Sequence, residues 1–129
     1  MAETATHALR GRKILVVEDE YLIAADLAAT LEDVGVAVVG PAGSVAQALE
    51  LVEDAGGELD AAVLDVNLGG ERVYPVADAL AARGVPFVFA TGYDHILVPT
   101  NHAGVARCEK PVNKAALVRL LLNVSAARP

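Results

Sequence analysis

With 129 residues, 54% of them hydrophobic, the chain is long enough to close one core without disulfide or metal staples and short enough to be one domain. A formal charge of −7, with ten Lys and Arg that are scattered apart from Arg10-Gly11-Arg12-Lys13, argues against a nucleic-acid surface, which needs clustered cations. The single cysteine, Cys108, excludes an internal disulfide and a cysteine-based zinc site, and it reads as a small buried hydrophobe.

Met1 to His7 is polar and unlike a signal peptide, and no apolar run approaches the roughly 18 residues of a membrane span. A cytoplasmic protein is expected, with residues 1–11 as a flexible arm and 12–126 as the packed domain. Lys13-Ile14-Leu15-Val16-Val17 is a buried-strand run that ends in Glu18-Asp19-Glu20. Such a continuous apolar run is what a parallel sheet, covered on both faces, requires. From Tyr21 the period changes, and Ile23, Leu27, Leu31 and Val34 fall on one helix face, stopped by Gly35 as a left-handed cap. Val36 to Gly40 is a second strand. Ser44 with Gln47 is a capping box opening a helix whose apolar face is Val45, Ala48, Leu49 and Val52, closed by Gly56-Gly57.

The third strand, from Leu59, ends at Asp65 and breaks into a loop that closes on Gly69-Gly70. Pro75 fits the first turn of a helix running to about Arg83, capped by Gly84. Val85 to Ala90 is a fourth strand ending at Thr91-Gly92-Tyr93. Asp94 to Gly104 carries barely one helical turn, which Pro99 would break, so a short or mobile fourth helix is expected. Val105 to Glu109 is a fifth strand leading into Lys110-Pro111. Asn113 caps a last helix with Leu117, Leu120, Leu121 and Val124 inward, and 127–129 form a tail. His7, His95 and His102 have no ligand spacing and read as surface residues.

Strands alternating with helices predict an α/β protein with a doubly wound, five-stranded parallel sheet. Right-handed crossovers point every strand the same way, so Glu18 and Asp19, Asp65, Thr91 and Lys110 meet at the carboxyl rim, where such sheets bind ligands. Each has a plainer reading alone. A lone acid there caps a helix or sits in a solvated loop, Glu18-Asp19-Glu20 would suit a helix N-terminus, and Lys110-Pro111 would be an ordinary loop. Such residues at four strand ends are read jointly. Three crowded carboxylates repel unless a cation joins them, and Glu18, Asp19 and Asp65 are hard oxygen ligands of the kind Mg²⁺ takes. Asp65 then reads as a nucleophile accepting a phosphoryl group, with Lys110 as a fixed ammonium and the Thr91 hydroxyl as a donor to a phosphoryl oxygen. No G-x-G-x-x-G follows the first strand, which argues against a dinucleotide fold.

Val16-Val17-Glu18-Asp19-Glu20, Leu64-Asp65-Val66-Asn67, Ala90-Thr91-Gly92 and Glu109-Lys110-Pro111 together resemble the receiver domain of two-component response regulators, over about residues 12–126. The resemblance implies a CheY-like, flavodoxin-like sheet of order 2-1-3-4-5. It makes Asp65 the phosphoacceptor, Asp19 a direct Mg²⁺ ligand, Glu18 a ligand through water and the backbone carbonyl of Asn67 a further ligand. Thr91 becomes the switch hydroxyl and Lys110 the phosphate-pairing cation. Pro86-Phe87-Val88-Phe89-Ala90-Thr91-Gly92-Tyr93 further resembles a single-domain subgroup with a PFxFATGY motif, whose members work with histidine kinases of the HWE and related types.

One departure stands out: receivers commonly place Tyr or Phe three residues before the lysine, and this chain has Arg107 there. The usual threonine–aromatic coupling is therefore in doubt. The subgroup resemblance gives part of the signalling to Tyr93, beside Gly92, the alternative being that Tyr93 packs on its loop. The implied protein is a stand-alone receiver. It takes phosphate from a histidine kinase or phosphotransfer protein and acts through contacts with a downstream protein, without nucleic acid, membrane or turnover chemistry of its own. Two other readings are a small aspartate-nucleophile phosphohydrolase, whose second acid is here Asn67, and an unphosphorylated pseudo-receiver scaffold.

Overall fold

The apolar run after Arg12 forms β1 (Lys13–Val17) of a five-stranded parallel sheet. In this computed structural model the described residues are 9–55, 57–91, 104–110 and 112–126. After β1 come α1 (Tyr21–Asp33), β2 (Ala37–Ala42), α2 (Val45–Ala55) and β3 (Ala61–Asp65). A short hairpin, β4 (Asn67–Leu68) and β5 (Glu71–Arg72), leads to α3 (Tyr74–Ala82), β6 (Phe87–Thr91), β7 (Arg107–Glu109) and α4 (Lys114–Ala126). The sheet order is β2-β1-β3-β6-β7, with every pairing parallel. Counting sheet strands alone, this is the doubly wound, CheY-like order that the resemblance implies.

Alternation along each strand splits the core in two, because successive Cβ atoms point to opposite faces. Leu15, Val17, Ala62, Leu64, Phe87 and Phe89 face one side, where Ala48 and Val52 of α2 and Val76, Ala77 and Leu80 of α3 cover them. Ile14, Val16, Ala61, Val63, Val88 and Ala90 face the other, under Leu27 and Leu31 of α1 and Leu117 and Leu121 of α4. Phe89 is the largest fully buried side chain, and its ring meets Tyr74 edge-on at 6.0 Å and Phe87 at 5.6 Å. Both faces of β3 are covered, which is why its run from Ala61 to Asp65 shows no polar alternation.

The helix ends follow local chemistry. Ser44 Oγ accepts the Gln47 N–H at 3.1 Å while Gln47 Oε1 accepts the Gly43 N–H at 3.0 Å, so the reciprocal bond reaches one residue further back than a capping box does. Asn113 Oδ1 accepts the Ala116 N–H at 2.9 Å. Gly35 and Gly84 take positive φ after α1 and α3.

The boundaries differ from expectation at several points; β3 starts at Ala61 rather than Leu59, and β6 runs from Phe87 to Thr91 rather than from Val85 to Ala90. Leu9 is fully buried in the α1/α4 face, and the Gly11 N–H donates to the Gly35 carbonyl at 2.8 Å. Of the eleven residues read as an arm, 9–11 are therefore packed against the domain, while 1–8 lie outside the described residues. β7 starts at Arg107 rather than Val105, although the Ala106 carbonyl already accepts the Phe89 N–H at 2.9 Å. β2 runs on through Gly40-Pro41 to Ala42, with an irregular register against β1 between Leu15 and Val17. Gly40 carries it there at φ +95°, and a Cβ at this position would lie 2.8 Å from Ala42 N and 2.9 Å from Val16 O. Backbone atoms cannot yield as a side-chain tip can, so Gly40→Ala is expected to lower stability by about 1–3 kcal/mol, read as a lower urea midpoint at unchanged slope. The expected fourth helix, in residues 94–103, lies outside the described residues. Among the described residues no helix is long and apolar enough to cross a membrane.

Candidate phosphoryl-acceptor site at the carboxyl rim

The site residues lie at the ends of strands or just past them, placed there by the ladder. Glu18 follows β1, and its N–H donates to the Ala42 carbonyl at 2.9 Å, so the next residue enters the loop before α1. Asp65 ends β3 opposite Ala90 of β6. Thr91 ends β6 opposite Glu109, and its carbonyl accepts the Lys110 N–H at 2.8 Å. Four segments distant in sequence thus deliver their polar residues to one edge. Glu18, Asp65 and Thr91 are buried there, at 2%, 7% and 4% exposure; Asp19 is exposed.

Lys110 Nζ bridges two of the acids, 2.5 Å from Glu18 Oε1 and 3.2 Å from Asp65 Oδ2. The other Asp65 oxygen, Oδ1, accepts the Asn67 N–H at 3.3 Å. One carboxylate oxygen from each of Glu18, Asp19 and Asp65 lies within 4.8 Å of the other two. Glu18 Oε2 is buried and, among the described residues, has no hydrogen-bond partner. A buried acceptor without a donor is costly, and here it sits beside two more carboxylates.

Burial and neighbouring charge together shift Glu18 and Lys110. Burial, and then the neighbouring Asp65, push the Glu18 carboxyl up to about 8, against the opposing pull of Lys110. Burial alone would lower the Lys110 ammonium, but the hydrogen bond to Glu18 and the charge of Asp65 outweigh it and hold Lys110 above its usual value. One ammonium faces three carboxyl groups here. An oxygen-only donor set with an unpartnered buried oxygen is what a hard divalent cation such as Mg²⁺ accepts.

The structure thus gathers Glu18, Asp19, Asp65, Thr91, Lys110 and Asn67 at one rim. Arg107 does not join them: it is exposed on the edge strand β7, across from Phe89. Gly92 and Tyr93 lie outside the described residues. Two features escaped the sequence reading. Lys110 makes its shortest contact with Glu18 rather than Asp65, and the loop after Asp65 is a hairpin. The hairpin had a signal in Gly69-Gly70, a dipeptide suited to a two-residue turn with both φ positive; the two angles are +57° and +98°.

No protein-family model matches the chain. The chain is 47% identical to SdrG from Sphingomonas melonis Fr1, over 91% of this chain and 98% of that one, with a TM-score of 0.74. Against SdrG from Pseudomonas melonis Fr1 in its BeF3-activated conformation the identity is again 47%, over 85% and 95%, with a TM-score of 0.71. The transcriptional regulatory protein PdtaR of Mycobacterium tuberculosis is 34% identical over 91 residues, 70% of this chain and 43% of its own length, so the chain spans less than half of the curated relatives it matches. A response regulator receiver protein from Sinorhizobium medicae WSM419 superposes with a TM-score of 0.78 over 94% and 99% at 24% identity, a likeness of fold. Sheet order and helix placement make this a CheY-like doubly wound α/β protein. The chain belongs to the receiver domains of response regulators, the switch modules of two-component signalling.

Proposed function

We propose that this receiver accepts a phosphoryl group on Asp65 from a histidine kinase or phosphotransfer protein. Mg²⁺ would be held by Glu18, Asp19, Asp65 and the backbone carbonyl of Asn67. The observation that carries the reading is the setting of Asp65: a buried carboxylate at the sheet rim, with Lys110 Nζ 3.2 Å from one oxygen and the Asn67 N–H 3.3 Å from the other. The BeF3-activated conformation of SdrG adds support, since BeF3 on a carboxylate mimics a phosphoryl group.

In the step itself a carboxylate oxygen of Asp65 forms a bond to phosphorus. The bond from phosphorus to the donor's nitrogen or oxygen breaks, and the donor leaves with that electron pair and takes up a proton. A carboxylate nucleophile needs no general base. Lys110 supplies a desolvated positive charge beside the oxygens of the arriving group, and the Thr91 hydroxyl donates to one of them. Mg²⁺ held by Glu18, Asp19, Asp65 and the Asn67 carbonyl would supply positive charge against that building on the transferring group.

Propagation is assigned to Thr91 with the Gly92-Tyr93 segment that follows it, because Arg107 points to solvent where an aromatic partner would pack. Output is by protein–protein contact, the protein is a cytoplasmic switch rather than a turnover enzyme, and the Pro86–Tyr93 motif favours an HWE-type kinase as donor.

Incubation with a small-molecule phosphodonor and Mg²⁺, read by intact mass, is expected to add one phosphoryl group to the wild type. It adds none to Asp65→Asn and none in the presence of chelator. If the wild type takes up no phosphoryl group and also fails to bind BeF3, the pseudo-receiver scaffold becomes the better reading.

A further inference from the structure

The hairpin after Asp65 is short, but its register has a chemical consequence. In an antiparallel ladder, hydrogen-bonded and non-hydrogen-bonded pairs alternate. The Val73 N–H donates to the Val66 carbonyl at 3.0 Å, and the next pairs are Asn67 with Arg72 and Leu68 with Glu71. Asn67 therefore occupies a non-hydrogen-bonded pair, with its N–H and C=O both turned away from β5. The N–H is found where this predicts, on Asp65 Oδ1 at 3.3 Å. The carbonyl of the same residue shares that side of the strand, toward the acid cluster. The Asn67 side chain is tied elsewhere, since its Oδ1 accepts the Gly70 N–H at 3.2 Å.

The turn sits against the site as well. A Cβ at Gly69 would lie 3.5 Å from Asp19 Oδ2. Both turn residues need positive φ, and a one-residue slip of the ladder would exchange the pair types and turn the Asn67 carbonyl into the hairpin.

We infer that the Gly69-Gly70 hairpin is a positioning element for the cation site: by fixing the β4–β5 register it turns the Asn67 carbonyl toward Glu18, Asp19 and Asp65. The inference rests on the reading of Mg²⁺ binding given above. Gly69 and Gly70 are positioning residues and touch no reacting atom.

A matched pair of substitutions separates position from stability. Gly70 and Gly84 have φ of +98° and +70°, and a Cβ at either meets nothing within 4 Å. Gly84 lies at the end of α3, away from the rim. Gly70→Ala and Gly84→Ala thus carry a similar backbone penalty at different places. Mg²⁺ binding to each is measured by titration calorimetry, with thermal melts as the check on folding. Wild type and Gly84→Ala are expected to bind Mg²⁺ alike, while Gly70→Ala binds about tenfold or more weakly, in the range seen when residues supporting a metal ligand are lost. If Gly70→Ala does not fold, Gly70→Asn, which tolerates positive φ better, takes its place and is expected to bind Mg²⁺ more weakly than the wild type. Equal affinity of wild type and the folded Gly70 variant overturns the inference, and so does a matching loss in Gly84→Ala. Absence of Mg²⁺ binding by the wild type instead overturns the reading beneath it.

Discussion

Phosphoryl uptake at Asp65 is expected to slow by about 10²- to 10³-fold in Lys110→Met, the range for removal of one preorganised charge stabiliser. Methionine keeps the unbranched stem and loses only the ammonium, so the space between β1, β3 and β7 stays filled. The charge matters because it is desolvated: the Lys110 side chain is 15% exposed and its two partners are buried deeper still. In that setting a unit charge beside the developing phosphoryl oxygens is screened far less than at a surface. The measurement is the rate of mass gain from a small phosphodonor at saturating Mg²⁺, with thermal melts to show that the variant is folded. The Glu18 carboxyl is already pushed up to about 8 with Lys110 in place, and loss of the ammonium raises it further, which softens the structural cost of the substitution. An unchanged rate with Mg²⁺ binding intact would make Lys110 only the counter-ion of Glu18.

The sheet was legible in the sequence because a parallel sheet buried on both faces writes its strands as unbroken apolar runs. Ile14 to Val17, Ala61 to Leu64 and Phe87 to Ala90 are all of that kind. Their carboxyl-end residues follow from chain direction alone, so the gathering of Glu18, Asp65, Thr91 and Lys110 at one edge needed no geometry. The hairpin was harder, since β4 and β5 have two residues each and no period can be read from so few. Which of the consecutive acids turns inward was also hidden: Glu18 is buried while Asp19 and Glu20 are exposed, and composition treats all three alike. The Glu18–Lys110 contact joins residues 92 apart in the chain and appears only once β7 is laid beside β6. Leu9 precedes the first strand by too little for any pattern, and its burial comes from joining the cluster that includes Leu27, Leu31, Leu117 and Leu121.

In chelator, the stability of the folded protein is expected to fall as pH rises from about 4.5 to about 8, the reverse of the usual behaviour of an ion-paired carboxylate. The cause is Glu18, whose carboxyl is pushed up to about 8 by burial first and by Asp65 second, from an ordinary value of 4.5. Between those two values the folded state holds a proton that the unfolded chain has released. Stability then decreases with pH across that window. The contribution is fully present below pH 4.5 and lost above pH 8. Glu18→Gln keeps the shape and an oxygen for Lys110 but cannot titrate, so its stability is expected to stay flat where the wild type declines and to exceed the wild type at pH 8.5. Mg²⁺ competes with the Glu18 proton, so its stabilising effect grows with pH and offsets the decline, in the wild type more than in Glu18→Gln. Melts of both proteins from pH 5 to 8.5, in chelator and in Mg²⁺, test all of this together. Wild-type stability that rises with pH in chelator would mean that Glu18 is ionised and locked to Lys110 before any metal arrives. The cluster would then be a preformed ion pair that a cation has to break, and Mg²⁺ binding would release no proton.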